Sequence, residues 1–305
     1  MGAGGLLGQA LLSQIPKRSK AVAVRASNIP WQDSSGTRKA LTLHLRKFLT
    51  TCGDAKPHVF WVAGASTLRS ARDSVLADES SLGLFLEVAS DCLRETADNS
   101  QQLQLFFASS AGGVYSKSQN PPFTETSPVA PSSVYGESKL RMEAVVADWA
   151  ISHQVQCLIG RISSIYGEKQ KTHKQQGFLS ALIRNTVKRQ PTTIFAPLGS
   201  IRNYVYATDA ANLILRHSYQ QDETVRIANI CAPYNSTLAS VIQSARSITK
   251  MPVLTQFTSP SREILDAQDL RVSSHYSKWV NEECRTPLSV GMNTLFAAEL
   301  LRLRG

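Results

Sequence analysis

Tyr135 and Lys139 stand four residues apart in Tyr135-Gly136-Glu137-Ser138-Lys139, a spacing that returns to one face of a helix. A free phenol has a pKa near about 10, too high for a base at neutral pH. An ammonium held beside it stabilises the phenolate and lowers that value. Such a pair can take the proton of a hydroxyl or return one to a carbonyl oxygen. Upstream runs Phe106-Phe107-Ala108-Ser109-Ser110-Ala111-Gly112-Gly113-Val114-Tyr115. An apolar stretch ending in serines and glycines reads as a strand that delivers a hydroxyl to its carboxyl end, where open α/β sheets place ligands. The same residue types also favour a plain strand-ending turn.

The chain opens Met1-Gly2-Ala3-Gly4-Gly5-Leu6-Leu7-Gly8, which sets Gly2, Gly5 and Gly8 in a G-x-x-G-x-x-G spacing. Glycines so spaced let the backbone approach a pyrophosphate, and the helix predicted from Leu6 to Gln14 offers free N–H groups at its start. Gly2, Gly5 and Gly8 are therefore the candidate contacts to a dinucleotide, NAD or NADP, able to exchange hydride while Tyr135 exchanges the proton. The acid that commonly follows about 20 residues on to hold ribose hydroxyls is replaced by Arg25 at the end of the second predicted strand. A cation there suits a 2′-phosphate and tilts the choice toward NADP. The fingerprint also wants a strand ahead of it, and only Met1 precedes Gly2. The expectation is a missing first strand, from a start assigned too late or a truncated chain, with weak dinucleotide binding and aggregation as the result.

The elements that must position these residues alternate. Apolar runs at Ala21–Val24, His58–Val62, Leu103–Ala108 and Val155–Ile159, the last leading into Arg161–Tyr166, predict strands. Amphipathic stretches at Arg38–Leu49, Ser80–Thr96 and Gly136–Ser152 predict helices between them. Strands apolar on both faces and separated by helices predict βαβ units around a parallel sheet. Beyond about residue 165 the pattern loosens, with helices expected at Gly177–Lys188, Ala207–His217, Thr237–Ile248 and Leu288–Arg302. Short strands are expected near Thr193–Phe195, Val225–Ile230 and Val253–Phe257. The predicted division is a dinucleotide-binding domain over 1–165 and a smaller substrate-binding lobe over 166–305 that also returns strands to the sheet.

Composition narrows the function classes. The 305 residues are 42% hydrophobic and 18% charged, as in a globular protein with a real core. The net charge of +10 is scattered, densest at Lys169, Lys171, His173 and Lys174, and accompanies no nucleic-acid recognition motif. Five cysteines without a CxxC pair read as reduced thiols, not as a disulfide framework or a metal site. No apolar run reaches membrane-span length, and the apolar start lacks the basic region of a signal peptide. The expectation is a cytoplasmic protein that binds neither nucleic acid nor membrane.

Taken together, several landmarks carry a resemblance. They are Ser109-Ser110-Ala111 with Val114-Tyr115, then Pro122, Glu125 and Pro131, then Tyr135 to Lys139 with Glu143. They continue in Gly160-Arg161-Ile162-Ser163-Ser164-Ile165-Tyr166-Gly167 and in Arg202-Asn203-Tyr204-Val205-Tyr206-Ala207-Thr208-Asp209-Ala210. In this order, across nearly the whole chain, they resemble the extended short-chain dehydrogenase/reductase family of nucleotide-sugar epimerases, dehydratases and reductases. The resemblance implies a Rossmann-type doubly wound sheet with NAD or NADP bound. It implies Tyr135 as acid/base, Lys139 as its partner and a contact to the nicotinamide ribose, and Ser110 as the catalytic serine with Ser109 in reserve. It places Arg202 where family members hold a substrate diphosphate; a structural salt bridge is the alternative. Ser164 and Asn203 depart from the Asn and Asp common at those positions, which bears on sugar specificity. Ala111-Gly112-Gly113 replaces the acidic pair of dehydratases and argues against dehydration. Members often pair through two long helices, so a homodimer is expected. The resulting reading is a nucleotide-sugar epimerase, with a keto-sugar reductase using NADPH and a non-catalytic dinucleotide-binding regulator as alternatives.

Overall fold

The computed structural model describes residues 1–18, 23–52, 55–68, 70–95, 103–170, 177–259 and 268–304. The first half runs α1 (Leu6–Arg18), α2 (Ser34–Cys52), β1 (His58–Trp61), α3 (Arg72–Glu95), β2 (Gln104–Ser110), α4 (Ala111–Val114), α5 (Val134–Ser152), β3 (Gln156–Ile162) and β4 (Ser164–Tyr166). The second half continues with α6 (Phe178–Val187), β5 (Thr192–Ile194), β6 (Ile201–Tyr206), α7 (Ala207–Tyr219), β7 (Val225–Ile230), β8 (Asn235–Thr237) and α8 (Leu238–Thr249). It closes with β9 (Thr255–Phe257), β10 (Asp269–Leu270), α9 (Ser277–Glu283) and α10 (Leu288–Arg304).

The central sheet is parallel in the order β1-β2-β3-β7, so β7 from the second half completes it. Alternation along its strands builds two separate cores, because successive side chains point to opposite faces. Phe107 and Ile159 join Leu41, Leu45, Phe85, Val88 and Val146 under α2, α3 and α5. Their neighbours Phe106 and Leu158 point the other way and pack with Leu7, Leu11, Ala210 and Ile214 of α1 and α7. The expected doubly wound arrangement is thus present, with helices on both faces. A third core around Tyr166, Leu179, Ile194, Tyr204, Val241 and Met292 belongs to the smaller lobe, where β6 pairs with β4, β10 and β8. Among the described residues no helix is long and apolar enough to cross a membrane, and the five cysteines are free.

Two elements differ from their predicted form. Residues 21 and 22 of the expected strand Ala21–Val24 lie outside the described residues, and Ala23 and Val24 adopt no regular structure. Helix α3 begins two turns before Ser80. Ser80 and Ser81 resemble a helix start, but their hydroxyls donate back to the carbonyls of Leu76 at 2.9 Å and Ala77 at 2.8 Å.

Candidate active site

At the amino end, the turn over Gly2–Gly8 lies against the carboxyl end of β1. Gly2 has φ +81°, and a Cβ on it would stand 2.5 Å from the Ala63 nitrogen and the Val62 carbonyl. A Cβ on Gly8 would stand 2.4 Å from the Gly2 oxygen. Both positions demand glycine, because backbone meets backbone. Gly5 differs: the nearest atom to its notional Cβ is the Gly2 oxygen at 3.5 Å, so its outer face is open at the start of α1. A cradle closed behind by Gly2 and Gly8 and open at Gly5 fits a phosphate approaching the helix N-terminus. Arg25 is exposed and shares a cavity wall with Gly8.

At the carboxyl end of β2, Ser110 caps α4, its oxygen accepting from the Gly113 nitrogen at 3.2 Å. Ser133 caps α5 in the same way, accepting from Gly136 at 3.1 Å. The two helices meet through glycine: a Cβ on Gly136 would lie 2.4 Å from the Gly113 carbonyl oxygen, and one on Gly113 would lie 3.2 Å from the Tyr135 ring. That approach sets the Tyr135 side chain beside Ser110, close enough for the serine to bear on the phenol's ionisation. Lys139, one turn along α5, is buried with its Nζ 5.7 Å from the Tyr135 ring centroid, and donates to the Ala108 carbonyl at 3.2 Å. The structure therefore brings Ser110, Tyr135 and Lys139 together.

Their electrostatics depart from the expectation that Lys139 lowers the phenol's pKa. Burial raises the Tyr135 pKa above the ordinary value; the neighbouring Ser110 side chain opposes the rise and the negative charge of Asp78 adds to it. Burial lowers the Lys139 pKa, against the pull of Asp78 and Glu143. Desolvation penalises both charged forms and sets the direction of both shifts. Tyr135 rests as a neutral phenol.

Ser109 points the other way. Its hydroxyl donates to Glu143, whose carboxylate is forked by Arg161 at 2.8 Å from Nη2 and 3.1 Å from Nε. Arg161 Nη1 donates to the Tyr115 hydroxyl at 2.9 Å, and that hydroxyl donates to the Thr124 carbonyl at 2.8 Å. The ion pair is buried, its side chains each 6% exposed. Ser109 thus serves a buried network beneath the site and lies outside the Ser110–Tyr135–Lys139 group.

In the smaller lobe, Arg202 is half-buried on β6 and donates to the carbonyls of Ile201 at 2.8 Å and Gln268 at 3.0 Å. Burial lowers its pKa, opposed by Tyr204 and Asp269. Among the described residues the nearby Asp269 carboxylate is engaged by Arg271, at 2.8 Å, and not by Arg202. Asn203 beside it is a buried hub. Its oxygen accepts from Ser163 at 2.9 Å and from the Ala232 nitrogen at 2.8 Å, while its amide donates to the Ala232 carbonyl at 2.8 Å and to Asn235 at 3.1 Å. An amide can both accept and donate there, which a carboxylate could not.

One further residue, not singled out by the sequence, shapes the site. Asp78 on α3 accepts from the backbone nitrogens of Ala65 at 3.0 Å and Ser66 at 2.9 Å and from the Ser66 hydroxyl, pinning the loop after β1. No local motif announces this contact. The signal available was an acid in the first turns of a helix following a glycine-containing loop. Of the basic stretch, residues 171–176 lie outside the described residues. No group of His, Cys, Asp and Glu among the described residues could hold a metal ion.

Comparison with known proteins places the site in a family. Residues 1–231 match the model of the NAD dependent epimerase/dehydratase family. A candidate UDP-glucose 4-epimerase of Methanocaldococcus jannaschii is 32% identical over 124 residues, 41% of each chain. The dTDP-4-dehydro-6-deoxyglucose reductase of Escherichia coli is 30% identical over 141 residues, 46% of this chain and 44% of that protein. The matches thus span less than half the length of these relatives. The structure of Thermus thermophilus UDP-glucose 4-epimerase in complex with NAD superposes with a TM-score of 0.77 at 18% identity, over 98% of this chain and 97% of that one.

Proposed function

Because this chain belongs to the NAD dependent epimerase/dehydratase family, we propose that it binds a nicotinamide dinucleotide at the Gly2–Gly8 turn and epimerises a hydroxyl-bearing carbon of a nucleotide-linked sugar. The observation that carries the reading is Tyr135 set beside Ser110 at the carboxyl end of β2, with Lys139 buried behind it, its Nζ 5.7 Å from the Tyr135 ring centroid. The cradle closed by Gly2 and Gly8 and open at Gly5 fits the pyrophosphate of such a cofactor. When bound, the nicotinamide supplies the acceptance and return of hydride.

The chain's own residues manage the proton. Tyr135 Oη takes it from the sugar hydroxyl as hydride leaves and gives it back as hydride returns. Ser110 holds the same oxygen by a hydrogen bond and keeps it within reach of Tyr135. Lys139 supplies positive charge beside the ring and so favours the phenolate that accepts this proton, the phenol's own proton having first been given up to solvent. Arg202 holds the nucleotide diphosphate: its guanidinium is half-buried, is held by the Ile201 and Gln268 carbonyls, and is suited to charge-assisted contacts with an anion.

Arg25 favours a second reading, reduction of a keto-sugar with exchangeable NADPH, because a cation beside the glycine turn suits a 2′-phosphate. Incubation with UDP- and dTDP-linked hexoses, and with the corresponding keto-sugars with and without NADPH, followed by proton NMR of the anomeric signals, separates the two. Interconversion of epimers without added reductant supports the epimerase. Turnover only with added NADPH supports the reductase. A dinucleotide bound tightly with no turnover of any nucleotide sugar would sink both and leave a binding protein.

A further inference from the structure

Residues 268–275 cross from the smaller lobe to the central sheet, and both ends are tied. At the lobe end, β10 lies parallel to β6, with Asp269 opposite Ile201 and Leu270 opposite Arg202. The Gln268 carbonyl accepts from the Ile201 nitrogen at 2.8 Å and from Arg202 Nη1 at 3.0 Å. The segment therefore holds the Arg202 guanidinium as well as its strand. At the sheet end, Phe123 of the loop between α4 and α5 bridges to Val272. Its nitrogen donates to the Arg271 carbonyl at 2.8 Å, and its carbonyl accepts from the Ser273 nitrogen at 2.9 Å. Glu125 finishes the join, with its side chain 7% exposed. Oε1 accepts from the Asn229 nitrogen of β7 at 2.9 Å and from the Ser274 hydroxyl at 2.5 Å, and Oε2 accepts from the His275 nitrogen at 2.9 Å.

We propose that Glu125 is a positioning residue: by fixing residues 268–275 on the end of the sheet, it sets where Arg202 stands relative to Tyr135. The inference rests on the roles given to Arg202 and Tyr135 above and supplies what relates them. Its own side of the join is held firmly. The neighbouring Thr124 carbonyl accepts from the Tyr115 hydroxyl, which Arg161 holds in turn, and Ser132, just ahead of α5, donates from its nitrogen to the Ser116 hydroxyl at 2.8 Å. A carboxylate offers acceptors on both oxygens, so donors from β7 and from the segment converge on it without conflict. Leu270 and Val272 are buried in the core and hold the segment down, but apolar contact alone lets an extended segment slide. Bonds to Ser274 and His275 fix its register, and a slip of one residue would turn every side chain to the other face.

The first measurement needs no substrate. Amide hydrogen exchange is followed on the full chain in wild type and in Glu125→Ala. The Ile201 amide, bonded to Gln268 at the far end of the segment, is expected to exchange about tenfold faster in the variant, while the amides of α5 keep their rates. An unchanged Ile201 rate would overturn the proposal. The second measurement is kinetic. On a nucleotide sugar that the wild type turns over, Glu125→Ala is expected to lower kcat about 100-fold, the cost of misplacing a bound substrate by about 1 Å, with the Kd of UDP and of the dinucleotide unchanged. Because Glu125 acts through Arg202, the same change made on Arg202→Ala is expected to lower kcat/KM by less than about threefold. Full additivity of the two losses would overturn the proposal, since Glu125 would then act by another route. Should Glu125→Ala fail to fold, Ser274→Ala removes one bond and leaves the carboxylate its backbone donors. That variant is expected to lose about fivefold in kcat with the same non-additivity, and additive losses there count against the proposal equally. If the wild type turns over no nucleotide sugar, faster Ile201 exchange still supports the join, and the function assigned above is what fails.

Discussion

The carboxyl end of β2 and the free edge of β1 belong to one sheet yet are held in opposite ways. Around Ser110 every neighbour is fixed by a nearby polar partner: Ser109 by Glu143, Glu143 by Arg161, Arg161 by Tyr115, and the helices by a glycine contact. Along β1, two backbone bonds from Met1 and an apolar cavity do the work. Network satisfaction makes the first region rigid, because removing any partner strands a buried polar group. The second region has little to lose. The Ser110 region is thus insulated from the amino edge, while the Gly2–Gly8 turn, which rests on that edge, is not.

This contrast is sharpened most by Tyr135→Phe. Removing one oxygen is expected to lower turnover by about 10²–10⁴-fold while the melting temperature stays near wild type, since the ring remains in place. Comparable turnover of variant and wild type on a nucleotide sugar would remove Tyr135 from the reaction. Glu143→Ala tests the rigidity of the same region. It leaves Arg161 as a buried unpaired cation and should cost about 3–5 kcal/mol in urea unfolding. A loss as small as that of a surface change would show the network to be slack.

Arg202→Ala is expected to weaken binding of a diphosphate-bearing substrate by about 1.5–3 kcal/mol, seen as a raised KM with unchanged cofactor affinity. An unchanged KM would leave Arg202 with a structural role. The smallest effect concerns the edge. Folding lowers the Met1 ammonium pKa from 8.0 to about 6, so between these values the unfolded chain binds more protons than the folded one. Stability from this group therefore rises as pH goes from 6 to 8 and is lost on acidification through that window. His58, lowered to about 4 by burial and by Lys56, contributes in the same direction but below the ordinary imidazole value of 6.5. Melting curves at pH 6.8 and 7.8, chosen as roughly the interior of the window, should differ for the free amine and converge after N-acetylation. Identical slopes in the two forms would place the amine in solvent.

How much of this the sequence disclosed depended on whether a contact was local. Strands β2 and β3 were legible because both faces are apolar, and α5 because its apolar face is periodic. Strand β6 was not, since Arg202-Asn203 reads as a polar loop. Asn203 is tolerated inside only because Ser163, Ala232 and Asn235 satisfy it from distant segments. The choice between Ser109 and Ser110 required the pleat: Ser109 pairs in register with Arg161 and Ser110 with Ile162, which sends them to opposite sides. The direction of the Tyr135 pKa shift could not be read from a Tyr–Lys spacing, because burial decides it. The clamp from Asp78 to Ala65 and Ser66 joins residues with no motif between them.

The crossing of α4 and α5 sets a limit on how this protein can diverge. Gly136 and Gly113 approach so closely that even a methyl group on either would meet backbone or the Tyr135 ring. The two positions act as a spacer of zero thickness. A larger residue at one cannot be absorbed by trimming the other, because neither has anything left to trim; at Gly136 it must push the Gly113 backbone away, and at Gly113 it presses on the Tyr135 ring. Mutational drift is therefore free to rework the walls around a substrate while this pair stays locked, and a library aimed at new substrates gains nothing by sampling these two codons.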